Sequence, residues 1–136
     1  MWDLNFKLKR YYHKFKLNRI VSKGLVVQQG HYGIRLLKSG FLYLSEVKSI
    51  HLLVRKTLKK SGKIWFNINP NLILTKKPIE SRMGKGKGGV TEYVAVVSMG
   101  LILLEIESSS TIKTLNLMQK IISKLHLPAK LIKFKL

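Results

Sequence analysis

The sequence predicts one α+β domain with a mainly antiparallel sheet and two helices, extended by a basic N-terminal arm and a glycine/lysine-rich loop. Its 136 residues fit a single domain, and 46% of them are hydrophobic, which is enough for one modest core. Apolar runs of strand length alternate with two segments of helical spacing. We place the arm at residues 1–23 and the domain at residues 24–136.

The charge of the chain indicates a polyanionic partner. There are 26 Lys and Arg residues against 6 Asp and Glu residues, a formal net charge of +20. So large a charge repels itself and opposes compaction. Nucleic acid is the leading candidate for the partner, and an anionic membrane surface, bound peripherally, is the alternative.

Several classes of site and segment are excluded or disfavoured by composition. No apolar run reaches the roughly 18 residues that a transmembrane helix needs, so we expect no membrane insertion. The chain has no cysteine, which excludes disulfides and zinc–thiolate sites. The four histidines are scattered without metal-ligand spacing. We therefore predict no metal site and no cofactor.

The predicted arm, residues 1–23, interleaves basic and aromatic side chains, as in KRYYHKFK. Such a segment has little amphipathic order and repels itself, so we expect it to be extended and to become ordered on a partner. The rings favour stacking on bases or packing on the domain over a simple solvated tail.

The first half of the domain is predicted to contain paired strands and a helix. Two apolar runs, 25–29 and 33–37, flank GHYG, whose glycines permit a tight turn. A helix is predicted over residues 45–60, with Ser45 as its N-cap and Gly62 as its terminator. The predicted core-facing residues of this helix are Val47, Ile50, Val54 and Leu58.

Basic residues at the end of this helix are candidates for phosphate contact. Lys59 and Lys60 suit the negative end of the helix dipole, and Lys63 begins the next predicted strand, 63–68. A basic helix face is most often merely solvated, but in so basic a chain phosphate binding gains weight.

The second half is predicted as a hairpin, a helix and a final strand. A proline-containing stretch with one short strand, 72–74, precedes two apolar runs, 91–98 and 101–107, which flank Met-Gly in a hairpin-like pattern. A second helix is predicted over 109–126, capped in a serine run, and a final strand over 129–136. The predicted core residues are Val94, Val96, Leu101 and Leu103 on the hairpin and Ile112, Leu115, Met118 or Gln119, Ile122 and Leu125 on the helix.

The segment RMGKGKGG, residues 82–89, combines positive charge with very little side chain. Such a run is usually a flexible, solvated loop. Glycines, however, let a backbone approach a ligand closely, and Arg82 offers a planar fork for phosphate or guanine. Additional positive charge is supplied by Lys76, Lys77, Lys85 and Lys87. We therefore interpret the segment as a loop that enters the crowded, negative surface of a folded RNA.

An enzymatic function has little support in the sequence. The segment does match G-x-G-x-x-G, but a proline-broken loop precedes it and a strand follows, whereas a dinucleotide site needs a strand before and a helix after. The six carboxylates form no evident constellation with a histidine. We predict that the chain is not an enzyme and keep a small nucleotide-binding enzyme as a further alternative.

GKIWFNINPNLILTKKPIESRMGKGKGGVTEYVAVVSMGLILLEI resembles ribosomal protein sixteen of the large subunit, in its bacterial and organellar form. GKIW, TKKP, RMGKGKG, an aromatic-Val-Ala strand and a G-x-ILxEI hairpin arm occur in the family's order and spacing, and the resemblance covers roughly residues 24–136. It implies an α+β domain embedded in large-subunit rRNA near the peptidyl-transferase centre and the aminoacyl-tRNA site, where the family helps to position tRNA.

The resemblance also implies site residues and partners. By motif, the loop that reaches toward the functional centre carries Arg82, Met83, Gly84, Lys85, Gly86, Lys87 and Gly88, preceded by Lys76 and Lys77. The segment KRYYHKFK looks like a weaker version of the family's basic arm, which makes Lys9, Arg10, His13 and Lys14 candidate RNA contacts. The implied partners are large-subunit rRNA, aminoacyl-site tRNA and neighbouring ribosomal proteins.

The chain departs from the family pattern in its first helix and in its arm. It has Lys48, His51 and Leu52 where the family often has an acid followed by an arginine pair, and Phe15 where glycine is usual. Its heavy use of Lys, Ile, Leu, Phe, Tyr and Asn suggests an A+T-rich coding sequence, as in many organelle genomes. Together these features favour a mitochondrial ribosome and an organelle-encoded protein. The bacterial cytoplasm and the plastid are alternatives.

Overall fold

The strands and helices follow one another in an order that confirms the α+β class. The structure is a computed structural model that describes residues 24–134, so the predicted arm and its candidate contacts Lys9, Arg10, His13 and Lys14 lie outside the described residues. The elements are β1 (Tyr32–Leu36), β2 (Gly40–Tyr43), α1 (Leu44–Leu58), β3 (Gly62–Phe66), β4 (Leu72–Lys76), β5 (Gly89–Val97), β6 (Ile102–Ser108), α2 (Thr111–Lys124) and β7 (Ala129–Lys133).

The strands form two sheets, and the prediction that β5 and β6 make a hairpin is wrong. The four-stranded sheet has the order β3-β6-β1-β7 and the three-stranded sheet the order β2-β5-β4, with antiparallel pairing throughout. Gly100, at φ +90, turns the chain between the sheets. Its N–H donates to the Leu36 carbonyl, and the Leu36 N–H donates to the Leu101 carbonyl. The turn is therefore fixed on β1 and acts as a corner.

The predicted pairing of residues 25–29 with residues 33–37 is also wrong. The second run is β1, but it pairs with β6 and β7, and residues 25–29 form no strand. Instead, this segment runs alongside β6 and is bonded to it at both ends: the Gly24 carbonyl accepts the Ile102 N–H, and the His31 N–H donates to the Ile106 carbonyl. Between these two backbone hydrogen bonds, the N–H groups of residues 28–30 donate to a side chain rather than to a strand.

That side chain is Glu105, which is 2% exposed in the middle of β6. Its Oε2 accepts the N–H groups of Gln28, Gln29 and Gly30 at 3.0, 2.7 and 3.0 Å, and its Oε1 accepts Nδ2 of Asn67 at 2.9 Å. Burial by itself raises the pKa of Glu105, but these hydrogen bonds together outweigh burial and hold the pKa below its ordinary value of 4.5. The ionised carboxylate thus fastens residues 28–30 to the sheet.

Helix α1 confirms its predicted apolar stripe, while its two ends differ from the prediction. The residues Val47, Ile50, Val54 and Leu58 are all buried. The N-cap is Tyr43 rather than Ser45, because the Glu46 carboxylate reaches back to accept the Tyr43 N–H at 3.1 Å. The C-cap is Lys59, and Gly62 starts β3 instead of ending the helix.

Helix α2 begins at Thr111, with its N-cap Ser110 in the serine run as predicted, and Met118 and Leu125 are buried as predicted, but the rest of its buried face differs from the predicted one. The buried residues are Thr114, Leu117, Met118 and Ile121. Ile112 is 75% exposed, and Leu115 and Ile122 are only partly buried. The buried stripe begins with Thr114, whose hydroxyl donates to the Ser110 carbonyl at 2.7 Å. Because this hydrogen bond satisfies the hydroxyl, Thr114 packs in the core while the more hydrophobic Ile112 is exposed.

The remaining strands agree with the prediction apart from their ends. β3 stops at Phe66 and β4 continues to Lys76. One further strand, β2, was not predicted. Of the predicted hairpin core residues, Val94 and Leu103 are buried, whereas Val96 and Leu101 are partly buried.

We expect Glu105→Gln to lower the free energy of unfolding by about 1–2 kcal/mol near neutral pH, because charge-assisted hydrogen bonds become neutral ones. A lowered pKa means that the carboxylate's contribution is complete above the unfolded-state pKa and is lost as pH falls through the folded-state pKa. The difference between wild type and variant should therefore shrink in urea unfolding from about pH 7 to about pH 3. Exposed Glu92→Gln is the control, and an equal difference at both pH values would contradict the assignment.

Candidate nucleic-acid interface

A two-stranded ribbon carries most of the predicted site residues away from the core. β4 and β5 pair from Leu72 opposite Val94 to Lys76 opposite Gly89. Leu72 and Val94 are buried at the base of the ribbon, whereas residues 89–92 are exposed. The connecting residues 77–88, here called the glycine–lysine loop, are exposed up to residue 87. The ribbon thus carries an exposed, basic loop away from the core.

A bulge lies where the ribbon leaves the body. The pairing register shifts between Leu74, opposite Glu92, and Thr75, opposite Val90. An extra residue in one strand bends a ribbon and increases its twist. The bulge therefore sets the direction in which the glycine–lysine loop extends.

The glycine–lysine loop has an ordered first half. Ser81 closes a turn, since its N–H and its hydroxyl donate to the Pro78 carbonyl at 3.1 and 2.8 Å. The ammonium group of Lys77 donates to the Gly84 carbonyl across the loop. Ile79 and Met83 are almost fully exposed although both are apolar. The loop thus presents two apolar side chains beside the guanidinium of Arg82.

The fold requires glycine at one position of the loop but not at two others. A Cβ at Gly88 would lie 2.5 Å from the Lys76 carbonyl carbon, so the base of the loop requires glycine there. A Cβ at Gly84 or Gly86 would meet nothing within 4 Å. Neither of these two has a positive φ. The described chain therefore gives no steric or conformational reason for glycine at 84 and 86.

The other predicted contacts lie at the edge of the four-stranded sheet: Lys59 and Lys60 in the turn between α1 and β3, and Lys63 near the start of β3. The three are exposed, and Lys59 has φ 49. The structure does not join this group to the glycine–lysine loop, which extends from the three-stranded sheet. The predicted contacts within the described chain thus form two separate basic regions.

Two further features lie near α1, where the sequence indicated a basic helix face. Lys48, Arg55 and Lys56 are exposed and extend the basic region along the helix. His51 has its ring centroid 6.1 Å from that of Phe66, and burial, with Arg55 nearby, lowers its pKa. The lowered pKa favours the neutral imidazole, so His51 is not counted among the positive charges of this region.

Residues 24–134 show neither a metal site nor a membrane span. No cluster of three or more His, Asp and Glu side chains in this part of the chain is arranged to hold a metal ion. Neither α1 nor α2 combines the length and the apolar character that crossing a bilayer requires.

The amino-acid sequence of the chain matches a known family. A family model described as ribosomal protein L16p/L10e matches residues 6–132. The chain belongs to this family. Proteins of this family are structural components of the ribosome's large subunit rather than enzymes. The match starts at residue 6, so it also includes the arm residues that lie outside the described part of the chain.

The similarity to individual relatives covers most of the chain. It is 44% identical over 101 residues to the large ribosomal subunit protein uL16 of Buchnera aphidicola, covering 74% of each chain. It is 38% identical over 101 residues to the uL16c protein of Cyanidium caldarium, covering 74% of this chain and 72% of that one. The uL16 protein of Thermosipho melanesiensis is 33% identical over 124 residues, covering 91% of this chain and 87% of its own length.

The unequal roles of the glycines lead to a stability prediction. Gly88→Ala should lower the free energy of unfolding by about 1–3 kcal/mol, because the new methyl group overlaps the backbone at Lys76. Gly84→Ala and Gly86→Ala should each stay within about 0.5 kcal/mol of wild type, since they face open space. Urea unfolding of the three variants checks this. Equal losses at all three positions would contradict it.

Proposed function

We propose that this chain binds large-subunit rRNA near the peptidyl-transferase centre and the aminoacyl-tRNA site, and that it supports tRNA positioning and subunit assembly. Family membership supports the ribosomal setting. The observation that carries the RNA contact is the pair of glycines at 84 and 86, which the chain's own fold does not need. A partner that approaches the backbone closely supplies the missing reason.

The chemistry of the loop fits RNA as that partner. Side chains at 84 and 86 would separate the backbone from a neighbouring surface, whereas glycine lets the backbone N–H groups reach phosphate or sugar oxygens. Arg82 can bind phosphate or the edge of guanine with two parallel hydrogen bonds. Ile79 and Met83 can pack on exposed bases or sugars, which explains apolar side chains at an otherwise polar tip.

The proposed RNA-contacting residues fall into three groups. The loop group is Lys76, Lys77, Arg82, Met83, Gly84, Lys85, Gly86, Lys87 and Gly88, and the turn group is Lys59, Lys60 and Lys63. The arm group, within the proposed arm of residues 1–23, is Lys9, Arg10, His13 and Lys14. Within the proposed domain of residues 24–136, the loop group extends from the three-stranded sheet and the turn group lies at the edge of the four-stranded sheet. The loop group is the one that we place near the aminoacyl-tRNA site.

For the compartment, we propose a mitochondrial ribosome and an organelle-encoded protein, with the bacterial cytoplasm and the plastid as alternatives. The lysine-rich composition and the departures from the family pattern in α1 and the arm support this choice. The membrane-surface alternative accounts for neither the exposed glycines nor the family match. Co-sedimentation with large subunits prepared from each compartment distinguishes the candidate locations.

The double variant Gly84→Ala/Gly86→Ala tests the loop directly. We expect it to fold with wild-type stability yet to bind large-subunit rRNA roughly tenfold more weakly, because two methyl groups hold the backbone away from the RNA. Affinity is measured by filter binding, and assembly by incorporation into subunits that lack this protein. Ser123→Ala on the exposed side of α2 is the control. Wild-type affinity and incorporation of the glycine variant would remove the role of the loop.

The double variant Arg82→Gln/Lys85→Gln tests the charge of the loop. Every phosphate interaction that the substitutions remove should reduce the slope of log affinity against log salt by about one, because fewer counterions are released on binding. Lys130→Gln/Lys133→Gln on β7 removes the same charge from another exposed site and is the matched control. The loop variant should also slow accommodation of aminoacyl-tRNA on reconstituted ribosomes. The proposal fails if loop and control variants behave alike.

A further inference from the structure

A pocket of about 350 Å³ lies between the α1–β3 turn and the C-terminal end of β6. Three distant parts of the sequence line it, and the residues that matter chemically are His31, Lys60, Lys63, Glu107, Ser108 and Ser109. The volume suits one nucleotide unit of a polymer better than a base pair. We call this site the serine–lysine pocket.

The turn that forms one wall of the pocket is held firmly. The Ser61 N–H and hydroxyl both donate to the Leu58 carbonyl, at 2.8 and 2.6 Å, and the Ser109 N–H approaches the Ser61 carbonyl at 3.4 Å. Lys59 adopts φ 49 and ψ −111, a strained conformation for a residue with a Cβ. Gly62 is required there because a Cβ would lie 2.7 Å from the Glu107 carbonyl oxygen. Strain of this kind concentrates at functional sites.

The polar groups of the pocket match the parts of a ribonucleotide. Lys60 and Lys63 supply two positive charges, and the hydroxyls of Ser108 and Ser109 add neutral donors, which together suit a phosphate. Glu107, across the strand pair from Lys63, is the one acid in this cationic site. A carboxylate repels phosphate but accepts a hydrogen bond from a ribose 2′-hydroxyl, a group that DNA lacks.

We propose that the serine–lysine pocket binds one nucleotide of an RNA chain, with Lys60 and Lys63 on the phosphate and Glu107 accepting the 2′-hydroxyl. This inference rests on the proposed function and deepens it. It adds a second RNA contact at the four-stranded sheet, whereas the glycine–lysine loop extends from the three-stranded sheet. It also assigns to Glu107 the discrimination of RNA from DNA.

The phosphate contact is tested with Lys60→Gln/Lys63→Gln in the full chain. Both side chains are exposed, so folding should be unchanged. Because both lysines bind one phosphate, we expect a salt slope lower by about one and an affinity for large-subunit rRNA at least roughly tenfold weaker than that of the charge-matched Lys130→Gln/Lys133→Gln control. Equal behaviour of the two variants would overturn the inference. Arg82→Gln/Lys85→Gln, measured in parallel, reports separately on the proposed function.

The role of Glu107 is tested by comparing an RNA fragment with DNA of the same sequence. Glu107→Ala removes the acceptor, so the preference for RNA should fall roughly fivefold. Glu107→Gln removes the same charge but keeps an acceptor oxygen, so it should retain the preference. If both variants shift the preference equally, Glu107 acts only through its charge and its assigned role is wrong.

The rRNA nucleotides next to the pocket can be identified by a separate experiment. Because the chain has no cysteine, one introduced cysteine gives a single labelling site. Ser109→Cys, labelled with an iron chelate that generates hydroxyl radicals, should cleave rRNA at a few adjacent nucleotides in reconstituted subunits. Ser123→Cys on α2 is the reference label. Incorporation of the labelled protein without cleavage from position 109 would overturn the inference, even if the loop variants behave as the proposed function expects.

Discussion

The buried carboxylate of Glu105 is the constraint on which much of the architecture depends. An ionised group in the middle of a sheet is costly unless its oxygens are hydrogen-bonded, and here four N–H donors surround it. These donors come from residues 28–30 and from Asn67, just beyond β3. One side chain of β6 therefore fixes both the segment that leads into β1 and the exit of β3. Displacing residues 28–30 would leave that buried charge without three of its four hydrogen bonds.

This firm body explains how exposed, basic segments can present their groups in a defined direction. The core is built from both helices and the two sheets, and the β4–β5 ribbon extends from it at a bulge. The glycine–lysine loop and the serine–lysine pocket belong to different sheets, so two contacts with one RNA would fix the orientation of the whole domain. A loop on a rigid scaffold is a common way to carry function without weakening the fold.

The candidate site was only partly predictable. Charge and glycine content marked the loop, because its residues are contiguous in the sequence. The pocket was not predictable beyond Lys60 and Lys63, since His31 and Glu107 reach it from distant segments and carry no local signal. Glycine identity alone also did not separate Gly88, which the backbone requires, from Gly84 and Gly86, which face open space.

Periodicity and composition by themselves determined the class of fold, the buried stripe of α1 and the approximate positions of most strands, and the net charge predicted a polyanionic partner. These properties depend on neighbours in the sequence or on sums over the chain. The tertiary structure alone decided that β5 and β6 enter different sheets and which face of α2 is buried. It also decided that residues 28–30 donate hydrogen bonds to the Glu105 carboxylate instead of pairing with β1. Each depends on a distant partner: Leu36 at the corner, Glu105 under the segment, and the packing that admits Thr114 to the core.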